Sequence, residues 1–258
     1  MGSLHDGHLS LMRRAKKLAE KIVISIFVNP TQFSPDEDYL KYPSTLDEDL
    51  AAAERVGVDA VFMPSVEIMY PNGIEPCDIE LPDVAIKPQL EDTHRPEHFS
   101  GVCQVVSKLF DLIQPSVAIF GEKDYQQLLV IKQMVKDYQD RWPGLYIEPH
   151  PTAREDDGLA MSTRNTFLTK EQRTIACEVY QRLSWAQHAQ AQEKISVGET
   201  EKVITNLLEY VGFVVDYAVI RSGDTLMSVS TFDQPTRALA AVRLGEVRLI
   251  DNIAINAN

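Results

Sequence analysis

Val117-Ala118-Ile119-Phe120-Gly121-Glu122-Lys123-Asp124 is a short apolar run that stops at a glycine and then delivers a lysine. Beyond it, Leu128, Leu129, Ile131, Met134 and Val135 recur at helical spacing. Strand, glycine, lysine and helix in that order present a cation at the carboxyl end of a strand, where open α/β sheets place ligands and where a phosphate can be reached. Upstream, a helix is predicted through Val102, Val105, Val106, Leu109, Phe110 and Ile113, and a strand at Ala60-Val61-Phe62-Met63. Before these come a helix through Leu50, Ala53 and Val56 that stops at Gly57, and the nearly continuous apolar run Ile22-Val23-Ile24-Ser25-Ile26-Phe27-Val28. Strands alternating with helices predict an α/β fold with a doubly wound parallel sheet, and runs this apolar suit strands covered on both faces.

The front of the chain, Met1-Gly2-Ser3-Leu4-His5-Asp6-Gly7-His8, runs into a helical pattern of Leu9, Leu11, Met12, Ala15, Leu18 and Ala19, so His8 falls in a first helical turn. Free backbone N–H groups and the positive end of the helix dipole favour an anion there, and Gly2 and Gly7 let the backbone approach it. Two histidines three apart then face one phosphate. The same residues also suit a surface turn, half of a metal pair, or an expression-tag remnant beginning Met-Gly-Ser. The strand Ile22–Val28 ends at the turn Asn29-Pro30-Thr31-Gln32-Phe33, which makes Gln32 a candidate substrate contact. Thr93-His94-Arg95-Pro96-Glu97-His98-Phe99-Ser100-Gly101 places a cation and histidines ahead of a helix, as an anion site or as a capped turn.

Composition narrows the classes. The chain has 258 residues, 44% hydrophobic and 24% charged, enough for one large or two modest domains. A net charge of −13 opposes broad binding to nucleic acid or to anionic membrane. No run is long and apolar enough to span a bilayer, and Arg13, Arg14, Lys16 and Lys17 stand where a signal peptide needs its hydrophobic region, so the expectation is a cytoplasmic enzyme. Cys77, Cys103 and Cys177 are too scattered for a disulfide framework or a zinc knuckle. The carboxylates between Asp36 and Asp49 suit a magnesium ion less well than a solvated face and an acidic helix start. Pro64 to Pro88 is proline-rich and reads as loop.

The chain changes character near Pro149-His150-Pro151-Thr152. The stretch Arg154 to Asn165 is polar and glycine-containing; Thr169 and Gln172 form a capping-box signature for one long helix through Ile175, Ala176, Val179, Leu183 and Ala186. A helix over 200–210 and β-rich segments at 214–220, 237–244 and 247–250 complete a smaller α+β domain. The division expected is therefore 1–152 and 153–258.

Five motifs in order, His5-Asp6-Gly7-His8, Phe27-Val28-Asn29-Pro30-Thr31-Gln32-Phe33, Arg95-Pro96-Glu97-His98-Phe99, Gly121-Glu122-Lys123-Asp124-Tyr125-Gln126-Gln127 and Met161-Ser162-Thr163-Arg164-Asn165, closely resemble the pantothenate synthetases, or pantoate:beta-alanine ligases. The resemblance runs from Met1 to the closing Leu249-Ile250-Asp251-Asn252. It implies a Rossmann-like domain of nucleotidylyltransferase type, a C-terminal lid, a homodimer, and a two-step reaction using ATP and Mg2+. Pantoate's carboxylate attacks the α-phosphorus, pyrophosphate leaves, and the amine of beta-alanine then displaces AMP from pantoyl adenylate.

The resemblance carries roles to particular residues. Met1, Gly2, Ser3, Leu4, His5, Asp6, Gly7 and His8 match the ATP-binding front, with His8 at the position of a proton donor. Gly121, Glu122, Lys123 and Asp124 match a second ATP segment whose lysine stabilises the phosphates. Ala153 falls at a backbone contact to adenine, and Met161, Ser162, Thr163 and Arg164 match a loop over ATP. Gln32 and Gln127 match the glutamines that grip pantoate, flanked by Arg95 and His98. Catalysis is assigned to His5, His8, Lys123 and Arg164, and no metal ligands are assigned. Departures are Thr163 for a usual serine, and Ser44 and Ser100 for residues that are often arginine. The family also carries a strand, a helix and a central strand before the residue matching Met1, so the strands flanking that place are expected to be incompletely paired here and the chain less stable than an extended one. Two rival readings are a related adenylyl-transferring enzyme for another acid and an inactive nucleotide-binding protein; the Gln32 and Gln127 pair opposes the first, and retention of His8, Lys123 and Arg164 the second.

Overall fold

The computed structural model describes residues 2–32, 45–192 and 195–256. Met1, Phe33, Ser44 and the acidic residues from Asp36 to Asp38 lie outside the described residues. The chain divides into two compact units, Met1–Glu122 with Gln126–Pro151, and Lys123–Tyr125 with Thr152–Asn258.

In the first unit, α1 (Asp6–Ala15), β1 (Val23–Ser25), α2 (Leu46–Val56), β2 (Ala60–Phe62), α3 (Val66–Met69), α4 (Glu91–His94), α5 (His98–Ile113), β3 (Val117–Gly121), α6 (Tyr125–Asp137) and β4 (Tyr146–His150) follow one another. The strands pair in parallel, β1 with β2 from Val23↔Ala60 to Ser25↔Phe62, and β3 with β4 from Val117↔Tyr146 to Gly121↔His150. A parallel sheet with incompletely paired strands was the expectation. Among the described residues the strands form two separate parallel pairs, each strand with a partner on one edge only, and residues 2–5 join neither pair. The strands are accordingly less covered than their apolar runs predict: Val23 is exposed, and every residue of β3 is only half-buried. A strand held along a single edge has fewer backbone bonds to extend it, and β1 takes up only the middle of the run Ile22–Val28.

The helices supply most of this unit's core. Val102, Cys103, Val106 and Phe110 of α5 are buried, as are Leu128, Ile131 and Met134 of α6. Gly57 closes α2 at φ 81°, a left-handed position that a glycine occupies without strain. Strand β4 was not foreseen, because Tyr-Ile-Glu-Pro-His lacks an apolar run; Pro149 is tolerated where the strand has an edge without a partner. Two contacts tie α1 to β4: Arg14 to Glu148 at 2.6 Å, and the Ser10 hydroxyl to His150 Nε2 at 3.0 Å.

The second unit contains α7 (Lys170–Ala176), α8 (Glu178–Gln192), α9 (Val197–Tyr210), β5 (Val214–Ser222), β6 (Thr236–Leu244) and β7 (Val247–Asn256). The three strands form an antiparallel sheet with β6 in the middle. Leu183 and Ala186 of α8, Ile204 and Leu208 of α9, and Ile220, Ala238 and Val242 of the sheet share one core. The Thr169/Gln172 capping box forms as read, but the long helix is two, with Cys177 between them donating its thiol to the Thr174 carbonyl at 3.3 Å.

Candidate active site

The predicted residues fall into sets, each built inside one unit. In the first, His5 is the N-cap of α1 and its Nδ1 accepts the Gly7 N–H at 3.2 Å, while His8 Nδ1 accepts the His5 N–H at 3.3 Å. A neutral ring whose Nδ1 is an acceptor carries its proton on Nε2. The cap therefore sets the tautomer of both histidines and makes each Nε2 a donor, which is what a phosphate oxygen needs. The ring centroids are 4.0 Å apart.

The turn into α1 is held by a residue the sequence reading passed over. Asp49, 2% exposed in the first turn of α2, accepts the Ser3 and Leu4 N–H groups at 2.7 Å each and the Thr45 hydroxyl at 3.1 Å. Gly2 at φ 94° and Ser3 at φ 52° are both left-handed, and a Cβ on Gly2 would stand 3.3 Å from the Asp49 carboxylate and from Ile26. One buried carboxylate thus fixes the backbone that enters the histidine helix.

A second cluster surrounds Gln32. Asn29, 1% exposed, donates to the Thr31 hydroxyl at 2.9 Å and the Gly101 carbonyl at 3.1 Å, and accepts the Tyr70 hydroxyl at 2.7 Å. Burial raises the Tyr70 phenol above its usual range, consistent with its role as a donor. A Cβ on Gly101 would come 2.2 Å from the Thr31 carbonyl oxygen, so only glycine lets the start of α5 sit against this turn. The structure brings Arg95 and His98 to Gln32, but onto its backbone: His98 Nδ1 donates to the Gln32 carbonyl at 3.2 Å, Arg95 Nη2 donates to it at 3.4 Å, and Arg95 Nη1 donates to His98 Nε2 at 3.1 Å. An arginine gives and a carbonyl takes, so neutral His98 carries its proton on Nδ1. Ser100 follows in the first turn of α5.

Of the neighbouring glutamines on α6, Gln126 is buried, accepting the Glu91 N–H at 3.0 Å and donating to the Val84 carbonyl and the Asp92 carboxylate at 2.9 Å each. Gln127 is half-buried. The adjacent pair divides into a packing residue and the predicted substrate residue.

The remaining candidates belong to the second unit, apart from Gly121 and Glu122 at the end of β3. Lys123 lies in the short 3-10 turn Glu122–Asp124 with its Nζ 3.5 Å from Asp124 and its side chain mostly buried. The Ala153 carbonyl accepts the Met161 N–H at 2.9 Å, and Arg154 bridges Ala160. Ser162 caps the 3-10 turn Thr163–Phe167 by accepting the Arg164 N–H at 3.2 Å, which leaves Arg164 exposed on a defined turn. Ala153, Met161, Ser162, Thr163 and Arg164 are therefore one connected segment.

The profile of the pantoate-beta-alanine ligase family matches residues 1–254. The chain belongs to this family. A pantothenate synthetase of Stenotrophomonas maltophilia is 46% identical over 98% of this chain and 88% of its own length, and one of Acinetobacter baumannii is 45% identical over 99% and 88%. The crystal structure of the pantothenate synthetase of Thermus thermophilus superposes with a TM-score of 0.92 at 42% identity, covering 100% of this chain and 91% of that one. That of the Francisella tularensis pantoate-beta-alanine ligase, complexed with a form of ATP and with beta-alanine, gives 0.79 at 34% identity over 100% and 88%. These pantoate-beta-alanine ligases share the parallel-stranded first domain and the antiparallel second domain described above.

Asp49, Asn29, Tyr70 and Gly101 were not singled out in the sequence because each touches the candidate residues only through partners from another segment: backbone for Asp49, Asn29 and Gly101, and the Asn29 side chain for Tyr70. The signal at Asn29 was nonetheless present, since a short polar side chain before a proline at a strand end is a turn former.

Proposed function

We propose that this chain joins pantoate to beta-alanine at the expense of ATP, forming pantoyl adenylate and pyrophosphate and then pantothenate and AMP. Family membership and the two histidines whose Nδ1 atoms are taken up by the α1 cap carry the reading: a helix start with two Nε2–H donors is an anion site made for a polyphosphate. Lys123 and Arg164 add positive charge for the phosphate oxygens as charge develops on them, and His8 is placed as the proton donor among the front residues Gly2 to Gly7. Gln32 and Gln127 orient pantoate without adding negative charge to a reaction between anions, while Arg95 and His98 hold the Gln32 turn. Gly121, Glu122, Asp124, Ala153, Met161, Ser162 and Thr163 are assigned to ATP, as is Met1.

Magnesium enters as the counter-ion of ATP, held chiefly by phosphate oxygens, as is usual for this ion. Among the described residues no group of three or more His, Cys, Asp or Glu is placed to hold a metal. Among the same residues no helix is long and apolar enough to cross a membrane. A homodimer working in the cytoplasm is part of the proposal and rests on the family resemblance; light scattering on the purified chain tests the first.

Incubation with ATP, pantoate and beta-alanine should yield pantothenate, AMP and pyrophosphate in equal amounts, and none of them when pantoate is omitted. ADP and phosphate as products, or equal turnover of an unrelated hydroxy acid, would overturn the assignment.

A further inference from the structure

Strand β7 carries two adjacent buried polar residues, Asp251 at 5% and Asn252 at 3% exposure, opposite Ala240 and Leu239 of β6. A carboxylate and an amide in the interior of a sheet cost stability unless every polar atom has a partner, and an apolar pair would pack there more simply. Both residues are fully engaged. Asp251 accepts Arg154 at 2.7 and 2.9 Å, and the same carboxylate accepts the Asn252 N–H at 2.7 Å. Arg154 also donates to the Asn252 carbonyl at 3.3 Å and to the Gly158 carbonyl at 3.0 Å, with its guanidinium 4.1 Å over the Tyr180 ring. The backbone of Asn252 is therefore pinned at its N–H and its C=O by one ion pair.

What that frame holds is the side chain. Asn252 Nδ2 donates to the main-chain carbonyl of Lys123 at 2.9 Å, and its Oδ1 accepts from Arg237. The Arg237 guanidinium lies 3.6 Å over the ring of Tyr125, whose hydroxyl donates to the Gly223 carbonyl at 2.8 Å. Lys123 and Tyr125 are thus both gripped from β6, β7 and the loop after β5, and these bonds explain why Lys123–Tyr125 group with the second unit although they follow β3 in the chain. We propose that Asn252 is a positioning residue: held by Asp251 and Arg154, it fixes the backbone of Lys123 and so the place from which its ammonium works. The inference rests on Lys123 acting on the ATP phosphates, as proposed above.

The test is a double-mutant cycle on single-turnover pyrophosphate release. Asn252→Asp keeps the shape but sets a carboxylate oxygen against the Lys123 carbonyl. It should slow adenylate formation by about 10- to 100-fold, the range expected when a reacting group is displaced by about 1 Å, with the KM values for pantoate and beta-alanine within about twofold. In a Lys123→Ala background the same substitution should change the rate by less than about twofold, because the group it positions is gone. Asn252→Ala goes through the same cycle and carries the test if the new carboxylate unfolds the chain. Slow K123A with N252D and N252A at the parent rate, or an undiminished loss on top of K123A, would overturn the positioning role alone. K123A at the parent rate would overturn the role of Lys123 itself, and the inference with it.

Discussion

Replacing Asp49 isolates the contact on which the entry to the histidine helix depends. Its carboxylate accepts two backbone N–H groups at 2.7 Å from a position almost wholly removed from water. Hydrogen bonds to a charged group contribute about 1.5–3 kcal/mol each, and a buried donor left without an acceptor costs about 1–3 kcal/mol. An asparagine in its place would offer one oxygen and one NH2, so one N–H keeps its partner and the other meets a donor. Asp49→Asn should therefore destabilise the first unit by about 1.5–3 kcal/mol. Asp49→Ala removes both bonds, but Ser3 and Leu4 are only half-buried and water can reach part of the turn, so a cost of about 2–4 kcal/mol is expected rather than the full sum. The chain has two tryptophans, Trp142 in the first unit and Trp185 in the second. A Trp185→Phe background thus makes urea unfolding, followed by fluorescence, a report on the first unit. An unchanged midpoint in D49N would refute the reasoning.

Gly101→Ala should cost about 1–3 kcal/mol and raise the KM for pantoate several-fold, because its Cβ can be admitted only by moving the Thr31 carbonyl and with it the Gln32 turn; unchanged kinetics would disconnect that turn from the substrate. Burial and then nearby Arg14 hold His150 below its ordinary value of 6.5. The unfolded chain therefore takes up this proton more readily than the folded one. The stability present above the unfolded value is lost as the pH falls from there through the folded value, and chemical denaturation at stepped pH should show a shallower acid loss in His150→Gln. The Cys103 thiol is pushed up to about 12, chiefly by burial, and Cys77 and Cys177 are raised by the same cause. None should react quickly with a thiolate-seeking reagent near neutral pH, and all three should react once urea unfolds the chain; a fast phase in the native protein would contradict this.

The alternation of strands and helices was legible because apolar β-branched runs and helical spacing are local signals, and Val117 to Val135 showed one directly after the other. Pairing is not local. Nothing in Ile22–Val28 itself says how many partners the strand will have; the incomplete pairing was expected from the family resemblance, and which strands pair emerged only in three dimensions. Tyr146–His150 hid for a different reason, since an edge strand tolerates a proline that a central strand would not. His5 and His8 were visible as anion-binding candidates, but their tautomers depend on backbone donors that no motif names. For Arg95 and His98 the sequence showed a cation and a histidine ahead of a helix, but not that they bond to the Gln32 carbonyl and to each other, because Gln32 lies 63 and 66 residues away along the chain. Asp49 was hidden among neighbouring carboxylates whose acidity a helix start already explains. Asp251 and Asn252 were quoted in the sequence only as the close of a motif, although two polar residues side by side inside an apolar strand are themselves a signal of buried hydrogen bonding.

In the proposed reaction ATP is cleaved between its α- and β-phosphorus by pantoate before beta-alanine takes part. Exchange of labelled pyrophosphate into ATP tests this directly, with pantoate present and beta-alanine absent. Exchange should require pantoate and fall by about 100-fold or more in His8→Ala. Exchange that proceeds without pantoate, or that appears only when beta-alanine is added, would contradict it.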